Sequence, residues 1–168
     1  MPPQAVGPVG KIAAYWAIIA ETIMNIPWYV TALGAALVWG IHYPLVDFAL
    51  KRVSVFSVLL LSVLPVVLLT PVFLRDLAHD LDTFRGLPAV EQGMIAAIGL
   101  TSLVGAVLLY LSIAGKNATL ASLIEITYPV FVAFFAYVMF RHIHLNASVM
   151  FGGLLVIAGA GLIIYNNQ

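Results

Sequence analysis

The sequence predicts an all-α integral membrane protein, a bundle of five transmembrane helices. Of its 168 residues, 63% are hydrophobic and only 8% are charged, and the mean hydropathy is +1.09. A soluble domain is nearer half apolar and a quarter charged, because a dissolved surface needs polar cover. The apolar residues form continuous runs rather than alternating with polar ones, which favours helices over a β-barrel. These observations exclude a soluble enzyme.

Five apolar runs are long enough to cross a membrane, since about 20 helical residues span the roughly 30 Å of hydrocarbon. Pro27 precedes the first run, and Lys51 and Arg52 follow it. Gly115 and Asn117 lie in the turn before the fourth run. The predicted spans are 28–50, 53 or 55 to 74, 93–113, 118–140 and 147–165.

Residues 1–27 do not follow this pattern, so we treat them as an N-terminal extension of a five-helix domain at 28–168. Lys11 is followed by an apolar run that is too short to span. We expect an interfacial helix with Tyr15 and Trp16 among the lipid headgroups. The alternative is the apolar region of a signal-peptide-like segment, although the small-residue cleavage pattern is weak.

The polar segment at 75–92 connects the second and third spans. Its acids could offer oxygen ligands to a divalent cation, but acids in a loop are normally solvated and nothing fixes their geometry. We therefore predict no metal site, and the alternative for this segment is a short amphipathic helix at the membrane interface. The side chains considered as ligands are Asp76, His79, Asp80 and Asp82.

The charges exclude further classes and leave the orientation nearly unbiased. Seven Lys and Arg balance seven Asp and Glu, which excludes a basic nucleic-acid surface, and there is no Cys for a disulfide or a thiolate site. Five spans put the chain ends on opposite sides, whereas the positive-inside rule needs a cation excess on one side. Lys11, Arg75, Arg85 and Arg141 lie on one side, and Lys51, Arg52 and Lys116 lie on the other. Insertion in both orientations would permit an antiparallel homodimer; the alternative is one orientation, set by a partner chain or by the long loop.

Several spans carry short motifs of small and aromatic residues in a fixed order. These motifs are LVWG at 37–40, TSLVG at 101–105, ATLASL at 118–123, YPVF at 128–131 and GGLLVIAG at 152–159. In order and spacing they resemble a single EamA repeat of the drug/metabolite transporter superfamily, over roughly residues 30–165.

This resemblance implies half of a transporter built on inverted repeats, because most members hold two repeats and ten helices. A second repeat would come from a second copy or from another chain. The implied substrates are small metabolites, amphipathic drugs or carrier-lipid head groups, with the proton-motive force as the energy source. Members often have a Glu-Pro pair in the fourth helix, where this chain has Tyr128 before Pro129 and its acid at Glu125. Many also have Gly-Glu after that helix, where this chain has Arg141 to His144.

Glu125 is the main candidate for a binding residue. It lies about 10 Å into the fourth span at the helical rise, where an ionisable group costs several kcal/mol unless it is paired or hydrated. Ser122, Glu125 and Pro129 share a helical face, and Pro129 removes the backbone donor that the Glu125 carbonyl would use. We predict that this face lines a cavity in which Glu125 carries a proton or binds a cationic group. The alternative is a structural glutamate that joins two helices by a hydrogen bond.

His42, Trp39 and Tyr128 are predicted to shape the same cavity, near the midplane between the first, third and fourth spans. In a cavity, His42 could bind substrate or relay a proton, although a membrane histidine is as often a packing residue. Asp47 lies four residues before Lys51, an arrangement that favours a helical ion pair near the interface.

Small residues in the fifth span indicate close helix packing. Gly152 and Gly159 are seven residues apart and share a face, and Gly153 and Ala160 repeat this spacing one position further. Small residues let membrane helices approach closely. A dimer interface and packing within the chain are both open.

The resulting prediction is a small membrane transporter in a bacterial inner membrane, acting as a homodimer or with a partner membrane chain. It would export a small molecule or a lipid head group by proton coupling, in contact with membrane lipids and without a cofactor or nucleic acid. No Ser-His-Asp or zinc-ligand spacing occurs, so we expect no enzyme. The alternative is a non-transporting structural or assembly subunit of a larger membrane complex, with residues 1–27 docked on a partner.

Overall fold

The computed structural model describes residues 15, 18, 19, 21, 26–141 and 146–167. The expectations for the extension at 1–27 therefore fall outside the described residues except at a few positions. The described residues form helices and turns without a strand. Five helical segments are long and apolar enough to cross a membrane, which confirms the predicted all-α membrane fold. The segments are Trp28–Leu50, Val55–Val72, Ala89–Gly115, Ala118–Phe140 and Ala147–Asn166.

Seven α-helices build these segments and one connection, and we number them in chain order. They are α1 (Trp28–Leu50), α2 (Val55–Leu69), α3 (Leu74–Gly86), α4 (Ala89–Gly115), α5 (Ala118–Glu125), α6 (Tyr128–Phe140) and α7 (Ala147–Asn166). A 3-10 turn at Thr70–Val72 completes the second span. The fourth span consists of two helices, α5 and α6.

Polar caps determine where three of the helices begin. The Ser54 hydroxyl accepts a hydrogen bond from a backbone N–H in the first turn of α2. The side-chain oxygens of Asn117 and Asn146 do the same for α5 and α7, at 2.8 and 2.9 Å. Such caps satisfy backbone donors that have no partner inside the helix. The polar residues between the apolar runs therefore set the boundaries of the spans.

The segment at 75–92 contains a helix rather than an extended loop. Helix α3 covers Leu74–Gly86, and the Leu87 N–H donates to the Phe84 carbonyl at 3.1 Å where α3 ends. The alternative prediction of a short helix in this segment, in place of a loop, is therefore confirmed.

Contacts divide the chain into two units, which we describe separately. One unit holds α1 up to His42 together with Val53–Val107, and the other holds Tyr43–Arg52 and Leu108–Gln168. In the second unit α5 packs against α7, and small side chains make this close approach possible. The buried side chains of the second unit are Val46, Tyr110, Ile113, Ala118, Ala121 and Ala160.

Candidate functional site

Glu125 lies where the fourth span is interrupted. Helix α5 ends at Glu125, and α6 begins three residues later at Tyr128. Between them the Thr127 N–H donates to the carbonyl of Ile124 at 3.1 Å, a shorter loop than the α-helical pattern. Pro129 has no N–H and cannot donate to the Glu125 carbonyl. Interrupted helices in membranes occur where the backbone is buried in protein or lines a cavity.

A hydrogen bond from another helix reaches the Glu125 side chain. The Tyr43 hydroxyl donates to Oε2 of Glu125 at 2.6 Å, and this contact is partly buried. The distance is at the short end of the range for an O–H···O bond. A carboxyl group away from water needs such a partner, because an unpaired charge is costly there. Tyr43 therefore joins the second half of α1 to the end of α5.

Two more tyrosines lie near Tyr43. Tyr110 in α4 and Tyr128 in α6 both interact electrostatically with Tyr43. Tyr110 is 4% exposed, whereas Tyr128 is 58% exposed. We call Tyr43, Tyr110, Glu125 and Tyr128 the tyrosine–glutamate cluster; its members come from four helices of the second unit.

The cluster combines a carboxyl group with aromatic rings. A carboxylate accepts hydrogen bonds and attracts a cation, and the face of a phenol ring attracts a cation as well. The partly exposed ring of Tyr128 offers such a face, whereas the ring of Tyr110 is buried. The Glu125 carboxyl group can therefore bind either a cation or a proton.

The other residues predicted for the site lie in different settings. Trp39 and His42 make an edge-to-face ring contact at 5.0 Å between centroids, and both belong to the first unit. Their place in a cavity with Glu125 stays a prediction. The Ser122 hydroxyl donates to the Thr119 carbonyl of its own helix at 3.0 Å. Tyr43 was not among the residues predicted for the site, and it lies 82 positions from Glu125.

The predicted ion pair at the end of α1 is present. Lys51 Nζ lies 3.2 Å from Asp47 Oδ2. Beside it, the Arg52 guanidinium lies over the Phe48 ring at 3.6 Å and donates to the Phe48 carbonyl. Asp47 lies one helical turn beyond Tyr43, and Lys51 follows the last residue of α1.

The glycines of α7 differ in what surrounds them. A Cβ added at Gly153 would lie 3.5 Å from Cγ2 of Val130 in α6. At Gly152 and Gly159 no heavy atom of the described chain lies within 4 Å of such a Cβ. The face with Gly153 therefore packs inside the chain, and the face with Gly152 and Gly159 is open in a single copy.

An apolar groove of about 660 Å³ runs between α6 and α7. Ile126 and Pro129 line it, so the groove reaches the interruption that follows Glu125. Its other lining residues include Val130, Phe134, Tyr137, Met150, Gly152 and Val156. We call this the α6–α7 groove.

Nothing in the described residues forms a cation centre of the kind considered for 75–92. Across 26–141 and 146–167, no group of three or more His, Asp or Glu side chains is placed to hold a metal ion.

The helices and the cluster define a polytopic α-helical membrane protein with a paired carboxyl group at an interrupted span. The model of the EamA-like transporter family matches residues 26–165. The chain belongs to this family, whose members are transporters rather than enzymes, and the resemblance found in the sequence is confirmed. Neither the curated proteins nor the solved structures contained a significant match to the chain.

Proposed function

We propose that this chain exports a small molecule across a bacterial inner membrane in exchange for protons, with Glu125 as the exchanging group. The observation that carries the proposal is the 2.6 Å bond from Tyr43 to Glu125 at the end of α5. Membership of the EamA-like transporter family supports transport of a small molecule. An interrupted span beside an ionisable residue is a common setting for binding in transporters.

The cluster suggests how the exchange works. A protonated carboxyl group has no charge to hold a cation, and a carboxylate that holds a cation has lost its proton. The two ligands therefore exclude each other at Glu125. Tyr43 donates to Oε2 in the observed state, so an arriving cation competes with the Tyr43 hydroxyl for that oxygen. In our proposal Tyr128 and Ser122 contribute to the binding site around Glu125, and Trp39 and His42 are separate candidate binding residues of the first unit.

The same proposal includes a second copy of the chain, which would place a second repeat beside this one. The open face with Gly152 and Gly159 supports a homodimer built on α7. The nearly equal cation counts of the two sides permit the antiparallel arrangement. A sister chain with a second repeat is the other form of this proposal.

A second candidate substrate follows from the α6–α7 groove. The groove is apolar and reaches the turn after Glu125. A carrier lipid could place its chain in such a groove and its polar head group near the carboxyl. We propose this lipid-linked substrate as the alternative to a soluble metabolite or drug.

The decisive experiment is Glu125→Gln in proteoliposomes, with Glu91→Gln as the matched control in the first turn of α4. The probe is the lipophilic cation tetraphenylphosphonium. We expect it to release protons from the unchanged protein and from the Glu91 variant in weakly buffered solution. Glu125→Gln should release none and should lose at least about tenfold in pH-driven transport, which corresponds to 1.4 kcal/mol. Transport by Glu125→Gln at the unchanged rate would refute the proposal.

The competing function is a structural or assembly subunit of a larger membrane complex. Under that function Glu125→Gln changes no transport and acts on complex formation or on nothing. Size analysis of the purified complex, run on the same variants, distinguishes the two functions. A smaller complex with unchanged ion movement would favour the subunit.

A further inference from the structure

Helix α3 has one apolar face that lies outside the transport site. Leu74, Leu77, Leu81 and Phe84 recur at intervals of three and four residues, so they share a face of the helix. The three leucines are 57%, 53% and 46% exposed. Charged and polar side chains occupy the opposite face: Asp76, His79, Asp80 and Thr83.

Helix α3 is joined to two candidate membrane spans by short connections. The 3-10 turn Thr70–Val72 ends the second span, and α3 begins two residues later at Leu74. At the other end, Gly86 is followed within three residues by Ala89, the start of the third span. The end of the second span and the start of the third span lie on the same side of the bilayer, because one short connection joins them. Both ends of α3, which is about 20 Å long, are therefore fixed near one surface, so the helix lies along that surface.

Hydrogen bonds fix the connections at both ends of α3. At the start, the Leu77 N–H donates to the Phe73 carbonyl at 2.9 Å. At the end, the Gln92 amide donates to the carbonyls of Leu87 at 2.8 Å and Arg85 at 3.4 Å. Gln92 belongs to the first turns of α4, so this side chain holds the end of α3 beside the start of the third span. These hydrogen bonds keep both ends of α3 close to the adjoining spans.

We propose that α3 is an interfacial helix whose apolar face is inserted between the lipid headgroups and the acyl chains. The occupant of this face is the bilayer that surrounds the two adjoining spans. Three aspartates outnumber two arginines in α3, so the insertion depends on apolar contact and not on attraction to anionic lipids. In this respect α3 differs from interfacial helices that carry a basic polar face.

Spin labels at single cysteines test this, since the native chain has no cysteine. Leu77→Cys and Leu81→Cys place a nitroxide on the apolar face, and Thr83→Cys is the matched control on the polar face. The labelled protein is reconstituted in phosphatidylcholine vesicles. Collision rates are measured with oxygen, which concentrates in the bilayer, and with a water-soluble nickel chelate.

We expect the oxygen-to-nickel ratio at positions 77 and 81 to exceed the ratio at position 83 several-fold. Equal ratios at all three positions would overturn the proposal, because α3 would then lie in water. Low collision rates with both reagents at 77 and 81 would also overturn it, because protein would then cover the face. Phe84→Cys gives a further apolar-face position if one variant fails to fold.

The lipid dependence supplies a second measurement. Adding one third phosphatidylglycerol should leave the ratios at 77 and 81 unchanged or lower. A high ratio that is present only in the anionic vesicles would contradict insertion by apolar contact. The readouts do not involve transport, so they are independent of the proposed function.

Discussion

The Tyr43 hydroxyl gives Glu125 a donor from a different helix. A hydrogen bond to a charged group contributes roughly 1.5–3 kcal/mol to stability, and an unsatisfied buried group costs a similar amount. Most of the free-energy cost of losing the Tyr43 hydroxyl therefore comes from the Glu125 carboxyl group, which is left without this donor.

Tyr43→Phe should keep the ring and remove only the donor. We expect the free energy of unfolding to fall by about 1–3 kcal/mol, measured by thermal or denaturant unfolding in detergent. Tyr29→Phe is the control, because Tyr29 is 54% exposed and its ring contacts Trp28 by its edge. That variant should stay within about 0.5 kcal/mol of the unchanged protein.

A double-mutant cycle assigns the loss to the bond. In a Glu125→Gln background, Tyr43→Phe should cost clearly less than it does alone, because contacting residues are not additive. Equal costs in both backgrounds would show that Tyr43 stabilises the chain through other contacts.

At the residue scale, sequence alone identified the acid but not its partner. Glu125 could be predicted because an ionisable residue deep in an apolar run is costly. Tyr43 could not be chosen in the same way, since tyrosine is ordinary in a membrane helix and its partner lies 82 positions away. Ser122 shares the face of Glu125 by spacing, yet its hydroxyl donates to the backbone of α5. Sequence periodicity predicts which residues share a helical face, but the side-chain rotamer determines which hydrogen bond each of them makes.

Among the elements, the interruption between α5 and α6 affects the site most. A proline in the interior of a helix costs about 3 kcal/mol, but Pro129 lies in the first turn of α6, where proline is tolerated, so what it removes is one backbone hydrogen bond across the interruption. Here the loss falls on the carbonyl of Glu125, next to the carboxyl that Tyr43 holds. The interruption thus destabilises the span at the position where the proposed exchange takes place.

Pro129→Ala supplies the missing N–H and should make the fourth span continuous. We expect a rise of about 0.5–1.5 kcal/mol in stability from the added hydrogen bond, with a drop of about tenfold in proton-coupled transport, equal to 1.4 kcal/mol. Pro65→Ala is the matched control, because Pro65 lies inside the continuous helix α2. It should raise stability without changing transport.

Unfolding curves in detergent and transport in proteoliposomes measure the two effects. Unchanged transport in a Pro129 variant that has gained stability would separate the interruption from function. A Pro65 variant with equal loss of transport would point to a general effect of helix stiffness.

The positions of the spans followed from hydropathy and turn residues, whereas two internal features did not. Ile126 and Thr127 do not differ from helix interior by composition, so the division of span four needed the structure. The segment at 75–92 was first noticed for its charges. Its leucines at intervals of three and four residues already indicated a helix, but a short helix depends on its surroundings for stability.

On the scale of the whole molecule, the two glycine faces of α7 predict different variant behaviour. Gly153→Leu would place a large side chain beside Val130 of α6, whose Cγ2 lies 3.5 Å from a Cβ built at this position. Such overpacking typically costs 1–3 kcal/mol of stability. Gly159→Leu enters open space in the single chain and should leave its stability within about 0.5 kcal/mol.

If the proposed homodimer uses the open face, Gly159→Leu should abolish self-association while the chain stays folded. Energy transfer between labelled copies in vesicles measures association, and circular dichroism measures the fold. A Gly159 variant that associates like the unchanged protein would exclude this face from the dimer. Partner choice is a property that one sequence could not specify, because open small residues fit a second copy and a sister chain equally.

The unequal lengths of the helices have a consequence for the lipid. Helix α4 has 27 residues and α7 has 20, which correspond to about 40 and 30 Å. A bilayer with roughly 30 Å of hydrocarbon matches α7, whereas α4 must tilt or extend into the headgroup layer. A change in acyl-chain length therefore changes the hydrophobic mismatch of α4 and of α7 differently. A thicker membrane relieves the hydrophobic mismatch of one and creates it for the other, so bilayer thickness is itself a variable that acts on this fold.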